Sequence, residues 1–443
     1  MSYNYYFIYF IMNDIIIICQ EIGINENTYD CSELLNKYLL SHTSDNTLVI
    51  YFPNGLYKFR TQLNLVSNIH ILGNKKTYFD FSEYMQHVDI TLYNYRHFYI
   101  QGSGKVIKKI KIESLDELND YDNLDYDLLE IYDPTIHWDT HFINPQGELH
   151  KKNECNNLFY KYNELNVNLI KSIKNIRISD IHFIGISRPI ASLIGFNIIY
   201  GKNINICNNL LYKFDCIAIN IRSSLETFIF NNEIFFEDKG QLNSTQYAIN
   251  FQNSSRNGYV YKNKIYKGKH SLLTGHNVNH PGIQRDIYYI DNECYLTWHG
   301  AITNHNACEK LTYMNNILYK CKYGMNNRVN NCILYNNKVF DSHSGFYLTK
   351  VCKNLKAHKN LIDGCLFYVF VNEWNKPDYV NERYNNVFYK NNINNCSYLY
   401  RIFDILETPQ DNYIFIHDNQ KNIKKNKPCI NHKFKMLIIK NTE

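Results

Sequence analysis

Between residues 204 and 395 the order of apolar and polar positions repeats. The stretches INICNNLLY (204–212), FIFNNEIFF (228–236), YVYKNKIYK (259–267), IYYIDNECYL (287–296), LTYMNNILYK (311–320), ILYNNKVFD (333–341), LKAHKNLID (355–363) and VFYKNNINN (387–395) share one layout. Each is a short alternating strand, a polar pair ending in Asn, and a second short strand. The Asn of the pair falls at 209, 232, 263, 292, 316, 337, 360 and 391, with Asp180 before the series and Asn419 after it. The spacings are 29, 23, 31, 29, 24, 21, 23, 31 and 28 residues. Short strands at a period of twenty to thirty residues, without helical periodicity, predict a solenoid of β-coils. The fold class expected is all-β. Asn suits such a turn because it tolerates the left-handed conformation and because stacked amides bond from coil to coil.

Each coil contains a third strand between one Asn turn and the next. Aligned on their apolar centres, these are IAINIR (217–222), YAINFQ (247–252), SLLTGH (271–276), GAITNH (300–305), YGMNNR (323–328), GFYLTK (345–350) and FYVFVN (367–372). Side chains alternate between faces along a strand. The alignment puts Ile219, Ile249, Leu273, Ile302, Met325, Tyr347 and Val369 on the inward face. The outward face then ends in Arg222, Gln252, His276, His305, Arg328, Lys350 and Asn372, a polar and largely basic column. Stacked like charges repel, so an ordinary solvated face would mix in carboxylates. Asn250, Thr303 and Asn326 lie two residues earlier on that face. At a strand spacing of about 4.8 Å, His276 to Lys350 spans roughly 14 Å, the length of a few sugar units.

Near the N-terminus, YDCSELLNKYLL (29–40) reads as a short capping helix, followed by TLVIYFPNGLYKF (47–59) and LVSNIHILGNKKTYF (65–79). A helix, then FP-x-G-x-Y, then a strand ending in Ile-x-Gly resembles the pectate-lyase-3 type of the pectin-lyase superfamily. With the Asn series, the resemblance covers roughly residues 20–420. It implies a right-handed parallel β-helix with a groove along one strand face, as in polysaccharide lyases and phage tailspike depolymerases. The spikes are usually homotrimers, and the resemblance carries that expectation with it. The organisation expected is an N-terminal strand or extension over 1–20, a parallel β-helix over 21–420 with an insertion at about 105–170, and a basic C-terminal cap or tail over 421–443. The apolar start lacks a basic leader region and is broken by Asp14, so a buried strand is expected there and not a signal peptide.

A polysaccharide lyase lowers the barrier to removing the proton beside a uronate carboxylate, using a base and groups that neutralise that carboxylate. His305 or Lys350 is the expected base, with Arg328 on the carboxylate; like-charge crowding lowers the pKa of the base. Arg222, Asn250, Gln252, His276, Thr303 and Asn326 are expected to position neighbouring sugars. His280 overhangs from the following loop, and Trp298 offers a stacking surface. His299 reads as structural. A glycosidase needs two carboxylates instead. The superfamily's polygalacturonase signatures are not intact here. Asp215, Glu226, Glu237, Asp238, Glu309, Asp341 and Glu373 lie near strand ends, outside the aligned column. Hydrolysis is therefore the alternative, and a non-catalytic glycan-binding spike or adhesin the third reading. The calcium-dependent members place an Asp cluster on the groove strand; none is seen, so no metal and no other cofactor is implied.

Composition adds little to this. The chain has 443 residues and a formal charge of +5, which is mild, and it carries no nucleic-acid-binding motif. No window is long and apolar enough to predict a membrane span. Codon bias toward Asn, Ile, Lys and Tyr would not keep Asn in phase with an apolar residue over successive coils. The thirteen cysteines form no CxxC pair and several sit in apolar runs, which predicts mostly free, buried thiols and folding in a reducing compartment. The site of action expected is extracellular or on a virion surface, and the partner a polysaccharide.

Overall fold

The computed structural model describes residues 14–42, 45–83, 96–101, 141–143, 149–151, 173–185, 194–199, 201–214, 217–222, 224–237, 246–252, 255–275, 284–305, 308–327, 331–349, 354–366, 368–373, 385–403, 413–417, 420–423, 429–431 and 437–440. Among them, strands stack into three long parallel sheets of 14, 12 and 12 strands. The first runs from Ile15–Ile18 to Leu437–Lys440, the second from Gly55–Lys58 to Gln420–Ile423, and the third from Leu63–Asn64 to Cys429–Asn431. Each coil visits the three sheets in turn and returns one rung higher, the right-handed parallel β-helix expected from the repeat.

The interior is three columns of apolar side chains. The first sheet contributes Ile178, Ile206, Ile229, Val260, Tyr289, Tyr313 and Leu334 at successive paired positions, all fully buried. The second contributes Phe183, Leu211, Ile234, Ile265, Cys294, Leu318 and Val339. Full burial of one such side chain contributes about 1.5–3 kcal/mol, so the stability is distributed rung by rung.

The Asn series forms a buried ladder, not the turn conformation itself. In each pair the residue before the ladder Asn takes the left-handed conformation: Asn208, Asn231, Lys262, Asp291, Asn315, Asn336, Lys359 and Lys390, with φ between 52° and 58°. The ladder Asn then points inward and bonds to the neighbouring coils. Asn292 donates its backbone N–H to Asn316 Oδ1 (3.0 Å) and its Nδ2 to Val260 O (2.9 Å) and Asn316 Oδ1 (3.0 Å). Its own Oδ1 accepts from the N–H and the Nδ2 of Asn263, each at 3.0 Å. The pattern repeats through Asn391. Asp180 does not belong to this column: it takes the left-handed position (φ 63°), and Ile181 occupies the rung, donating its N–H to Asn209 Oδ1.

The helix forms over Cys31–Ser41, close to expectation, and packs against the strands Gly55–Lys58 and Leu63–Asn64. Asp30 caps it, accepting from Ser32 N at 2.9 Å, and also accepts from Arg60 N and Thr61 Oγ1 of the first coil. The strand Ile15–Ile18 lies at the end of the first sheet with Ile15, Ile16 and Ile18 exposed, and the rest of the expected N-terminal strand or extension, 1–13, lies outside the described residues. The ladders also continue beyond residue 420 into Cys429–Asn431 and Leu437–Lys440. The expected insertion lies outside the described residues except for an antiparallel pair, His141–Ile143 with Leu149–Lys151. Among the described residues nine cysteines are buried and unbridged, and no helix is long and apolar enough to cross a membrane.

Candidate functional site

Among the described residues, the third sheet differs from the other two in being largely buried on both faces. Strands of the second sheet alternate between buried and half-buried or exposed, as in Glu233–Phe235. In the third sheet, Ile194–Ile199, Ile217–Arg222, His270–Thr274 and Gly300–Asn304 are buried at every position. The outward residues are polar all the same. Asn250, Thr303 and Asn326 are fully buried, and Arg222 and Gln252 nearly so. The expected column is therefore enclosed within the folded chain and is not an open, solvated wall.

Register corrects the sequence alignment at three rungs. Ile249 pairs with Leu272, Met325 with Phe346, and Phe346 with Phe370. The inward column is thus Ile219, Ile249, Leu272, Ile302, Met325, Phe346 and Phe370, not Leu273, Tyr347 and Val369. A one-residue slip exchanges the faces of a strand. Counting three positions on from each inward residue gives Arg222, Gln252, Gly275 and His305, and further up Thr349 paired with Glu373. The backbone register thus sets Glu373 opposite Thr349, where the sequence alignment had set Asn372 opposite Lys350. His276, His280, Arg328 and Lys350 lie outside the described residues.

Around His305 the structure gathers a group of rings that the sequence reading missed. Tyr247, His270, His299, Tyr323 and Tyr347 follow one another on consecutive coils, with centroid separations of 5.2, 4.8, 5.2 and 4.3 Å. His305 stands edge-on to His270 at 6.2 Å. His299, expected to be structural, is part of this rail. The sequence signal is an aromatic or imidazole side chain two or three residues before the inward Ile249, Leu272, Ile302 and Met325; Tyr347 instead follows the inward Phe346 and stands on the rung of Asn326. Trp298 flanks the rail and is half-buried, with Lys269 Nζ 5.6 Å from its ring and 5.9 Å from that of Tyr247. Lys322 Nζ lies 5.5 Å from the Tyr323 ring. The cluster therefore presents cations among ring faces and edges.

Hydrogen bonds fix its centre. His270 Nδ1 lies 3.1 Å from the Gly300 carbonyl, which can only accept, so Nδ1 carries the proton. Thr303 Oγ1 sits 2.9 Å from the same nitrogen and donates to the Gly300 carbonyl at 3.2 Å. A Cβ at residue 300 would come within 2.2 Å of Thr303 Oγ1, so glycine is what lets this hydroxyl reach the imidazole. Burial, then the adjoining His299 and His305, hold the His270 pKa well below the usual imidazole range, and the ring is neutral near pH 7.

Further down, Asn220 Nδ2 donates to Asn197 Oδ1 (2.8 Å) and Asn250 Nδ2 to Asn220 Oδ1 (3.0 Å). This short amide ladder ends at Asn250 Oδ1, which is buried without a partner because Leu273 occupies the next rung. Other buried groups on this wall also stand unsatisfied, among them Asn197 Nδ2 at the far end of that ladder, Trp298 Nε1, and both Oδ1 and Nδ2 of Asn326. Buried polar groups are rarely left unbonded, since each costs about 1–3 kcal/mol. Among the described residues no group of three or more His, Cys, Asp or Glu is placed to hold a metal ion.

Comparison with solved structures finds this architecture elsewhere. The hyperthermoactive exopolygalacturonase of Thermotoga maritima superposes over 91% of this chain and 86% of its own, with a TM-score of 0.52 and 11% identity. The tailspike protein of E. coli bacteriophage HK620, determined in complex with a pentasaccharide, superposes over 91% of this chain at a TM-score of 0.52 and 10% identity. The fold shared with them is the right-handed parallel β-helix. In the tailspike the match spans 65% of the chain, just under two thirds of its length. At these identities the likeness is one of fold. No protein-family model matches the chain, and no curated protein sequence does.

Proposed function

We propose that the chain binds an anionic polysaccharide along the outward face of its third sheet and cleaves it by β-elimination at a uronic acid. The observation that carries this reading is the half-buried rail of Tyr247, His299, Tyr323 and Tyr347, flanked by Lys269 and Lys322. Amides that bond hydroxyls, and rings that cover sugar C–H surfaces, are the chemistry of carbohydrate recognition. Lys269, Lys322 and Arg222 on the same face favour an anionic chain. The two structural neighbours named above, one an exopolygalacturonase and one bound to a pentasaccharide, fit a glycan substrate.

In the reaction, the His305 imidazole takes the proton from C5 of the uronate. The electron pair left at C5 forms the C4–C5 double bond as the C4–O4 bond breaks, and O4 leaves with a proton from water. His270, neutral and edge-on to His305, keeps a second positive charge away from the base. Lys350 is the alternative base. Arg328 and Arg222 would neutralise the carboxylate; the parts given to Arg328 and Lys350 rest on the sequence alone. The register position of Glu373 is what favours hydrolysis as a second reading, but a glycosidase needs a second carboxylate, and no other stands at that ladder position among the described residues. A spike that binds without cleaving is the third reading.

The two reactions give different products. Elimination leaves an unsaturated uronate absorbing in the near ultraviolet, whereas hydrolysis gives reducing ends without that absorbance. Assayed on a panel of uronate polysaccharides, the wild-type chain is expected to give both signals together. His305→Ala is expected to lower the rate by about 10²–10⁴-fold, the usual contribution of a general base. If His305→Ala and Lys350→Ala both retain full cleavage, the proposed site is wrong.

A further inference from the structure

We infer that Cys365 and Cys396 form a disulfide between successive coils when the folded chain meets a disulfide oxidant, stapling together the last coils of the second sheet. This staple does not depend on the glycan reading.

Position comes first. Where the second sheet turns toward the third, successive coils stack Thr297, Cys321, Ser342, Cys365 and Cys396 in one column. Each rung is held to the next by a backbone bond: Lys322 N to Thr297 O (3.0 Å), His343 N to Cys321 O (2.9 Å), Leu366 N to Ser342 O (3.0 Å) and Ser397 N to Cys365 O (3.0 Å). Among the described residues no other two cysteines are ladder neighbours; Cys294 pairs with Ile265 and Leu318, and Cys207 with Ser179 and Phe230. Paired residues of neighbouring strands lie about 4.8 Å apart, inside the range of roughly 4.4–6.8 Å that a disulfide spans between Cα atoms.

The side chains also face each other. Both are buried in the stack, Cys365 at 1% and Cys396 at 0% exposure. Cys396 Sγ reaches toward the coil that carries Cys365, 3.7 Å from Ile362 O, and donates to Asn394 O on its own coil at 3.0 Å. The Cys365 thiol hydrogen-bonds to the Cys396 sulfur. That bond lowers the pKa of Cys396 and raises that of Cys365, so Cys396 ionises first and is the attacking sulfur. A disulfide needs no cavity here, because it draws two neighbouring sulfurs together and releases two hydrogens.

A way in lies directly above. Cys396 ends the strand Asn392–Cys396, and among the described residues only Gln420–Ile423 follows it in the second sheet. The pairing of these two strands shifts register between Ile393 and Cys396. Solenoid ends open locally, and this end opens over the two thiols. The oxidant is a small disulfide such as oxidised glutathione. The Cys396 thiolate attacks one of its sulfurs, its S–S bond breaks, and one glutathione thiolate leaves. Cys365 then gives up its proton and attacks the Cys396 sulfur, expelling the second glutathione. Two protein thiols are oxidised, and one disulfide is reduced to two thiols.

The test uses the full chain, wild type and the variants Cys365→Ser and Cys396→Ser. Serine already fills this column at Ser342, where its Oγ donates to Phe340 O, so both variants are expected to fold; a thermal melt of the reduced proteins checks this. Each protein is incubated with oxidised glutathione or with dithiothreitol, quenched in acid, unfolded, alkylated and digested for peptide mass spectrometry. In most oxidised wild-type molecules the peptides holding Cys365 and Cys396 are expected to be linked. Oxidised wild type is expected to melt about 5–10 °C above the reduced form, because the link constrains the unfolded chain. Neither variant is expected to gain the link or the rise. If Cys365 and Cys396 are both alkylated in oxidised, folded wild type, the inference is overturned, and this result decides without the variants. A rise that survives in both serine variants also overturns it, by assigning the effect to other cysteines.

Discussion

Two kinds of buried asparagine occur in this chain, and they differ in whether their amides are used. Asn292 spends its Nδ2 on Val260 O and Asn316 Oδ1 and offers its Oδ1 to Asn263. Replacing it with Leu strands donors and acceptors on both neighbouring coils, so Asn292→Leu is expected to cost about 2–4 kcal/mol, one or more unsatisfied groups at about 1–3 kcal/mol each. Asn326 makes no such bonds. Asn326→Leu is expected to leave stability unchanged or to raise it, since it removes an unsatisfied group in place of a bond. Thermal unfolding of the two variants side by side checks the contrast. A drop for Asn326→Leu as large as that for Asn292→Leu would make Asn326 a structural residue.

At the scale of the strand and turn, the backbone requirement lies one residue before the ladder Asn. Several coils meet it with a side chain poorly suited to positive φ, such as Lys262 at 55° and Lys359 at 55°. A left-handed residue other than Gly or Asn costs about 1–2 kcal/mol, so Lys262→Asn or Lys262→Gly is expected to raise stability by about 0.5–1 kcal/mol. Chemical denaturation measures it, and a loss of stability would show that the Lys262 side chain holds the turn. The same scale explains what was legible in the sequence. The Asn at 209, 232, 263, 292, 316, 337, 360 and 391 keeps its place because its bonds run to the matching Asn of the next coil, and any slip would break them. The register of the third strands was legible only where apolar and polar residues alternate, as in IAINIR. At SLLTGH, GFYLTK and FYVFVN two adjacent residues are both apolar, and the period of two has no phase to read. The slips fell there, on Leu273, Tyr347 and Val369. The imidazole rail was hidden for another reason: His270, His299 and Tyr323 come from separate coils, and the loops between their strands differ in length.

For the whole molecule, three sheets built from one repeat differ in a single respect. The first and second turn alternating faces outward, with stacked rings such as Phe235, Tyr266 and Tyr295 at 4.4 and 5.0 Å. Those ring faces are taken up by their neighbours along the ladder. The third sheet, among the described residues, is largely buried on both sides and yet polar on its outward side, with a half-buried rail of rings along it, and it carries amides left without partners. A solenoid stabilised rung by rung can carry such a site on one wall without loss of the fold, because the other two columns continue past it. The most direct test is diffraction from crystals of the full chain grown with a uronate oligosaccharide that it binds. The sugar is predicted against the third sheet, over the half-buried rail of Tyr247, His299, Tyr323 and Tyr347, with its C5 edge toward His305. An oligosaccharide bound on the first or second sheet, with that rail unoccupied, would contradict the account.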